Sequence, residues 1–307
     1  MGARTQAVGG RRRRAAAVGH CIAVMMLAAV LPTSCASDGT GTPSPDTTPA
    51  VPGLTGQINQ SRDNYATHVI ELQLSNTGMR PVTVVSAVLD SPAFNGPAVW
   101  SSSTDGTEIP PGLAKSLPAQ LPAAVCSASE PKPQPAAQMT VQLRGTPDLI
   151  QLPVTDPFGV LDRNHAELCL DRNMADVVRL SWLPVLHADA AAGTAVLQLS
   201  LEPVGGPGSV TIESIGETTL LAADPARQWP RNVTVRGIDP PSRLELHIRP
   251  ARCDPHAVAE DKVGTLIPFH VSLNGSGSRS SGTVKVAAPA ALRGDILDFV
   301  TAACSGR

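Results

Sequence analysis

Aromatic residues are scarce in this chain. Phe, Trp and Tyr make up 3% of its 307 residues, and there is a single tyrosine. Any core must therefore be built from Val, Leu, Ile and Ala, and little remains for aromatic platforms that stack sugars or bases. No G-x-S-x-G, H-E-x-x-H or P-loop pattern occurs, so no familiar motif brings a nucleophile, a base and an oxyanion site together. Acidic residues are missing from the first 35 positions, which carry five arginines. Without those five, nineteen basic residues face 26 acidic ones, a net of −7. A body of that sign does not suit a phosphate backbone, and nucleic acid is not an expected partner. What is present is 42% hydrophobic residues, too many for a chain disordered throughout. The length suffices for two domains of ordinary size.

The first 35 residues read as an address. Arg11–Arg14 form a basic region, and Cys21–Leu31 is an apolar run of eleven residues. A membrane-spanning helix needs about twenty. Leu31-Pro-Thr-Ser-Cys35 follows, with small residues just before a cysteine. This resembles the lipobox of bacterial lipoproteins, although Leu31 sits one place further from the cysteine than the usual pattern puts it. The resemblance implies cleavage before Cys35 and acylation of its thiol. Ordinary cleavage after Ala36, twin-arginine export and an uncleaved signal anchor are the alternatives. All of them place the body outside the cytoplasmic membrane. Residues 36–56 are rich in Pro, Thr, Ser and Gly and read as a disordered tether. Extended, about twenty residues reach roughly 60 Å.

The body looks like one β-module written twice. In Arg243–Gly275, Leu244, Leu246 and Ile248 alternate with Glu245, His247 and Arg249, the period of a half-buried strand. Cys253, a polar loop and a second strand at Leu266–Leu273 follow. Earlier, Cys126 precedes a loop, and Met139–Gly145 parallels Phe269–Gly275. Leu-Gln-Leu-Ser stands at 72–75 and again at 197–200. Trp100 answers Trp229, and Ile109-Pro-Pro111 answers Ile238-Asp-Pro-Pro241. Landmarks in the same order at offsets of 125 to 130 residues point to duplication. Each half closes with a strand (Leu149–Val154; Gly282–Ala287) and a short helix. The first helix is expected over Asp156–Cys169, capped by Asp156, with Pro157 at its first helical position and Phe158, Leu161 and Leu168 on one side. The second is expected over Ala290–Cys304, burying Leu292, Ile296, Phe299, Val300 and Ala303. Short strands with Gly/Pro turns argue for an all-β fold of two tandem immunoglobulin-like sandwiches, over residues 57–172 and 173–307.

Four cysteines remain after Cys21 and Cys35 are assigned to export and lipid, and they allow three pairings. The duplication selects Cys126–Cys169 and Cys253–Cys304, each stapling a strand end to the helix of its own half. An exported chain keeps such bonds. Metal is the sharper alternative. Cys253-Asp-Pro-His256 and His165-Ala-Glu-Leu-Cys169 offer imidazole and thiolate, which suit zinc or copper. Neither half holds a complete ligand set at short spacing, so no metal or other cofactor is assigned.

Other candidates weigh less. His247 lies on the outward side of a strand, and His68, His187 and His270 lie in or beside strands. Ser129-Glu-Pro-Lys132 fits S-x-x-K but sits in a proline-studded loop without its partner motifs. Asp254, Glu260 and Asp261 crowd a polar loop. Arg252–Thr265 and Leu161–Cys169 resemble segments of uncharacterised secreted and lipoprotein-like proteins of high-GC Gram-positive bacteria. That resemblance implies an envelope protein and carries no catalytic residues.

The expectation is a non-enzymatic cell-envelope lipoprotein. It would act as a binding or structural module on the outer face of the membrane, with an envelope protein or cell-surface component as partner. A secreted form, a metal-handling protein and an accessory domain of an extracytoplasmic enzyme are the alternatives.

Overall fold

A computed structural model describes residues 53–126, 136–189, 191–254, 263–275 and 279–305. Cys35, the address segment, most of the tether, Ser129, Lys132, His256, Glu260 and Asp261 lie outside the described residues. The first half runs β1 (Leu54–Asn59), β2 (Val69–Asn76), β3 (Val82–Asp90), β4 (Ala98–Ser101), β5 (Thr107–Ile109), β6 (Ala114–Gln120), β7 (Gln138–Leu143), β8 (Leu149–Leu152), β9 (Val154–Thr155) and helix α1 (Val160–Ala175). The second runs β10 (Val178–Trp182), β11 (His187–Asp189), β12 (Thr194–Pro203), β13 (Ser209–Ile215), β14 (Leu221–Ala223), β15 (Val233–Arg236), β16 (Ser242–Pro250), β17 (Leu266–Asn274), β18 (Arg279–Ala287) and helix α2 (Ala290–Cys304).

The fold is β-sandwich-like in each half. One pair of sheets has the orders β6-β2-β1-β9 and β4-β3-β7-β8, with β5 also on β3. The other pair has the orders β10-β12-β16-β14, with β11 on β12, and β15-β13-β17-β18. Strict alternation builds them: Ile70, Leu72 and Leu74 point inward on β2, as do Leu197, Leu199 and Leu201 on β12. A separate aliphatic cluster fills each pair of sheets. Apart from Phe94, the buried aromatic rings (Trp182, Trp229, Phe269 and Phe299) belong to the second cluster.

Matching registers link the halves. Val84 pairs with Leu143 at a bulge in β3, and Ile212 pairs with Val271 at a bulge in β13. Val84 and Ile212 stand 128 positions apart, as do Leu143 and Val271. Past the bulges, Ala87 pairs with Val141 and Ile215 with Phe269, again at that spacing. The counterpart of Phe269 is therefore Val141, not Met139. The sequence echo slips by two residues, which keeps every side chain on its own face and so leaves the alternation unchanged.

Two other landmarks do not coincide. Trp100 lies on β4, half-buried, opposite Ala87. Trp229 lies in the connection before β15, buried, with Nε1 donating to the His247 carbonyl at 2.8 Å. Ile109 is fully buried on β5, whereas Ile238 is 80% exposed in a turn. Shared Trp and Ile-Pro-Pro spellings therefore do not mark equivalent positions.

Helix α2 spans the expected residues and buries the expected five. Helix α1 departs from expectation at both ends. It starts at Val160, after Gly159 in a left-handed conformation (φ 57°), and it continues through Ala175. The Asp156 carboxylate still caps it, accepting from the Val160 and Leu161 amides at 2.8 and 2.9 Å. Phe158 falls in the turn before the helix and is 66% exposed rather than packed. The extra turns have a use: Val160 and Leu161 enter the first cluster, and Leu170 and Met174 enter the second. The helix thus crosses the expected boundary at 172–173 and joins two cores instead of closing one. Strand β1 likewise begins at Leu54, inside the stretch read as tether.

The sulphurs of Cys126 and Cys169 are bonded at 1.96 Å, and those of Cys253 and Cys304 at 2.00 Å. Each bond ties a loop to the helix of its own half. Such bonds persist in oxidising compartments outside the cytoplasm. Among the described residues, no helix is long and apolar enough to cross a membrane.

Candidate functional site

Two polar clusters occur among the described residues: one around His187, Asp189, Asp224, Arg227 and His247 in the second half, and one along α1, on the two sides of Tyr65. Chain geometry delivers that ring. A 3-10 turn, Arg62–Asn64, follows β1, and His68 (φ 55°) redirects the chain into β2. The Arg163 guanidinium lies 5.3 Å from the Tyr65 ring centre, and the Lys285 ammonium lies 5.4 Å from it. Either contact is attractive, because the ring face is electron-rich.

On one side of Tyr65 is an open groove of about 620 Å³, lined by Asn59, Gln60, Tyr65, Glu71, Phe158 and Arg163. A buried network sets its floor. Asn164, 1% exposed, donates from Nδ2 to the Val160 carbonyl at 2.7 Å and to Gln60 Oε1 at 3.0 Å. A carbonyl can only accept, so Asn164 Oδ1 is the acceptor for His68 Nδ1 at 2.8 Å and for Gln60 Nε2 at 3.3 Å. His68 therefore carries a proton on Nδ1. Gln60 Oε1 also accepts from Arg163 Nη2 at 2.7 Å. The buried amide thus fixes Gln60, and Gln60 fixes Arg163.

On the other side is a small polar seam between the halves. Tyr65, His68, Glu167, Asp171, Thr283 and Lys285 border a cavity of about 50 Å³. Glu167 on α1 pairs with Lys285 on β18. Asp171, one turn further along the same face, has Oδ1 buried without a partner. Burial pushes its carboxyl above the usual range. The positive field of His68 opposes that shift, the like charge of Glu167 adds to it, and Lys285 opposes it. The seam holds two carboxylates against Lys285 and His68, and only one of the carboxylates is paired with the lysine.

The other sequence candidates sit apart from this site. His165 Nε2 donates to the Val125 carbonyl at 3.0 Å and lies 3.7 Å from Cys169 Sγ, a sulphur already in a disulfide. That pair presents neither a thiolate nor a free Nε2. His247 is less solvated than its strand position suggests, with 20% of its side chain exposed between Arg227 at 3.4 Å and Glu245 at 3.9 Å. His187 is exposed on β11, and His270 Nδ1 meets Thr283 Oγ1 at 3.0 Å. Among the described residues, no group of three His, Cys, Asp or Glu side chains is arranged to hold a metal.

Sequence reasoning missed Tyr65, Asn164 and Asp171. Two signals were available. Glu167 and Asp171 lie four apart on one helical face with no lysine or arginine between them to pair with, and Tyr65 is the only tyrosine.

No family model matches the chain, and no curated protein matches it. Among solved structures it is similar to the red sea bream transglutaminase, at 12% identity and a TM-score of 0.24, over 78% of this chain and 32% of that one. The chain thus spans about a third of that enzyme. It is also similar to CBD12 from CALX1.2, at 12% identity and a TM-score of 0.18, over 75% of this chain and 81% of that one. A third likeness is to the YadV chaperone, at 16% identity and a TM-score of 0.18, over 76% and 98%. At these scores the likenesses carry no argument about fold detail or activity.

Proposed function

We propose that this chain is a non-enzymatic lipoprotein of the cell envelope. In this reading it is anchored through Cys35 to the outer face of the membrane and displays two tandem immunoglobulin-like sandwiches on a tether. Its role is to bind or brace another envelope component. The observation that carries the proposal is the build of the body. Two register-matched halves are each stapled by their own disulfide and are yoked by α1, which enters both cores. That is a stiff scaffold for presenting surfaces, stabilised by oxidation. The groove and seam beside Tyr65 supply hydrogen-bonding and charged groups for such contacts.

Metabolic labelling with an alkynyl fatty acid tests the anchor. The wild-type chain is expected to take up label and to fractionate with membranes, and Cys35→Ser is expected to lose both. Label retained in Cys35→Ser, or a wild-type chain found only in the medium, would refute the anchor. Crosslinking from groove positions in intact cells, followed by mass spectrometry, tests the binding role.

A further inference from the structure

We infer that the outward face of the β6-β2-β1-β9 sheet, together with the groove at its end, is a binding platform for an uncharged carbohydrate chain. The inference deepens the binding role proposed above and rests on it.

The first observation is what that face lacks. Inward positions on these strands form the core, except Lys115, which is exposed near the start of the edge strand β6, and the outward ones carry Thr55, Gln57, Asn59, Gln73, Ser75 and Ser116, among other uncharged residues. Glu71 is the only ionisable group in the outward register. Across the whole chain 16% of residues are charged. The duplicated sheet provides an internal control. Gln73 and Ser75 correspond to Gln198 and Ser200, through the shared Leu-Gln-Leu-Ser. Their cross-strand partners in the first half are Ser116 and Ala114, followed by Pro118 opposite Glu71. In the second half the matched positions are Glu245, Arg243 and His247. One copy of the sheet has an ordinary charged face, and the other has amides and hydroxyls.

The second observation is that the amides are held in place. Gln57 Nε2 donates to Asn59 Oδ1 at 3.1 Å, and Asn59 Nδ2 donates to Gln73 Oε1 at 3.0 Å. A chain of primary amides retains both donors and acceptors for a row of hydroxyls, which also donate and accept. Ordering them beforehand lowers the entropic cost of binding.

The third is the end of the face. Asn59 and Glu71 lead into the groove where Phe158 stands 66% exposed beside Tyr65. An exposed ring beside fixed polar groups suits a ligand with an apolar C–H face and a hydroxylated rim, as in a pyranose. Glu71 and Arg163 give the groove one charge of each sign, so neither an anion nor a cation is favoured. The helix N-terminus nearby is already occupied by Asp156.

Nuclear magnetic resonance titration of the exported chain tests this. The probes are maltohexaose, cellohexaose, mannohexaose and chitohexaose, each at about 10 mM, where even a millimolar site is filled. An oligogalacturonate serves as the charged control. At least one uncharged probe is expected to move the side-chain amide signals of Gln57, Asn59 and Gln73 and the ring signals of Phe158. Phe158→Ala in the groove and Gln73→Lys on the outward face of β2 should weaken that probe at least tenfold, and Gln198→Lys on the matched second sheet should not. The inference is overturned if none of the four probes shifts these signals, if the shifts map to the second sheet, or if the oligogalacturonate binds best. Any of those outcomes leaves the Cys35 anchor standing, because fatty-acid labelling reads it independently.

Discussion

The double membership of α1 yields a quantitative prediction. Leu170 is 6% exposed and packs in the second cluster, although it lies one residue past the cysteine that staples α1 to the first half. The strand beneath it offers nothing to refill the space. Gly282 on β18 has no side chain, and a Cβ there would come within 2.8 Å of Leu170 Cδ2. Leu170→Ala should therefore leave a cavity that relaxes little. Such truncations cost about 3–5 kcal/mol when the site cannot collapse. At roughly 2–4 °C per kcal/mol for chains of 150–250 residues, the midpoint of the second half should fall by at least about 6 °C.

The tryptophans make the effect separable. Trp182 and Trp229 are buried in the second half, and Trp100 is the only tryptophan of the first. Fluorescence of a Trp100→Phe chain then follows the second half, and that of a Trp182→Phe/Trp229→Phe chain follows the first. In both backgrounds urea unfolding should give one coincident transition, because α1 couples the cores. Adding Leu170→Ala should split the two, with the second half melting earlier. Val160, 1% exposed at the other end of α1, should do the reverse when cut to Ala. If Leu170→Ala leaves the Trp182/Trp229 signal where it was, the helix does not belong to the second core and the yoke is wrong.

Three further outcomes follow from the same structure. The folded state raises the carboxyl pKa of Asp171, chiefly by burial, so the folded chain holds the proton more tightly than the unfolded chain does. Stability from this group is accordingly greatest at low pH and declines as pH rises from the ordinary carboxylate value through the raised one. Asp171→Asn should raise the thermal midpoint at pH 7, and the advantage should shrink towards pH 4. Closing the 44- and 52-residue loops should stabilise each half by about 4 kcal/mol, read as separate losses in Cys126→Ser/Cys169→Ser and Cys253→Ser/Cys304→Ser under urea. Asn164→Leu, nearly isosteric but unable to bond His68, Gln60 or the Val160 carbonyl, should cost about 2–4 kcal/mol by denaturant unfolding, because it orphans several partners at once.

Much of the fold was legible in the sequence wherever a face has one neighbour. On β2, β12 and β16 the alternation of apolar and polar residues predicts which side is buried, since a sheet face sees either core or water. For α2, the apolar residues at Leu292, Ile296, Phe299, Val300 and Ala303 mark a single stripe against one core. Helix α1 has no such stripe. Val160 and Leu161 turn to one cluster, Leu170 and Met174 to another, and Asn164, Glu167 and Asp171 sit between them on polar partners. A pattern divided between two cores averages to none. Stopping the helix at Cys169, by analogy with Cys304, then severs the part that reaches across. The groove was hidden for a related reason: Gln60 and Tyr65 lie about a hundred residues from Arg163 in sequence, and only the fold brings them together.

The same division explains why the polar groups at the junction are kept. Asn164 and Asp171 lie on α1 between the residues that enter the first cluster and those that enter the second. With the polar layer in place, each core stays filled by its own strands and α1 is held in one register. Asn164 can be satisfied only where Val160, Gln60 and His68 converge, and Glu167 only opposite Lys285. A slip of α1 by one turn would orphan both at a cost of several kcal/mol. The register of α1 between the halves is therefore set by hydrogen-bonding partners in addition to the apolar burial of its two ends and the Cys126–Cys169 bond. Loss of the Glu167–Lys285 pair should accordingly loosen the angle between the halves more than it lowers the melting point. Small-angle scattering of Lys285→Met would read that as a broadened distance distribution at nearly unchanged Tm, and an unchanged distribution with a collapsed Tm would refute it.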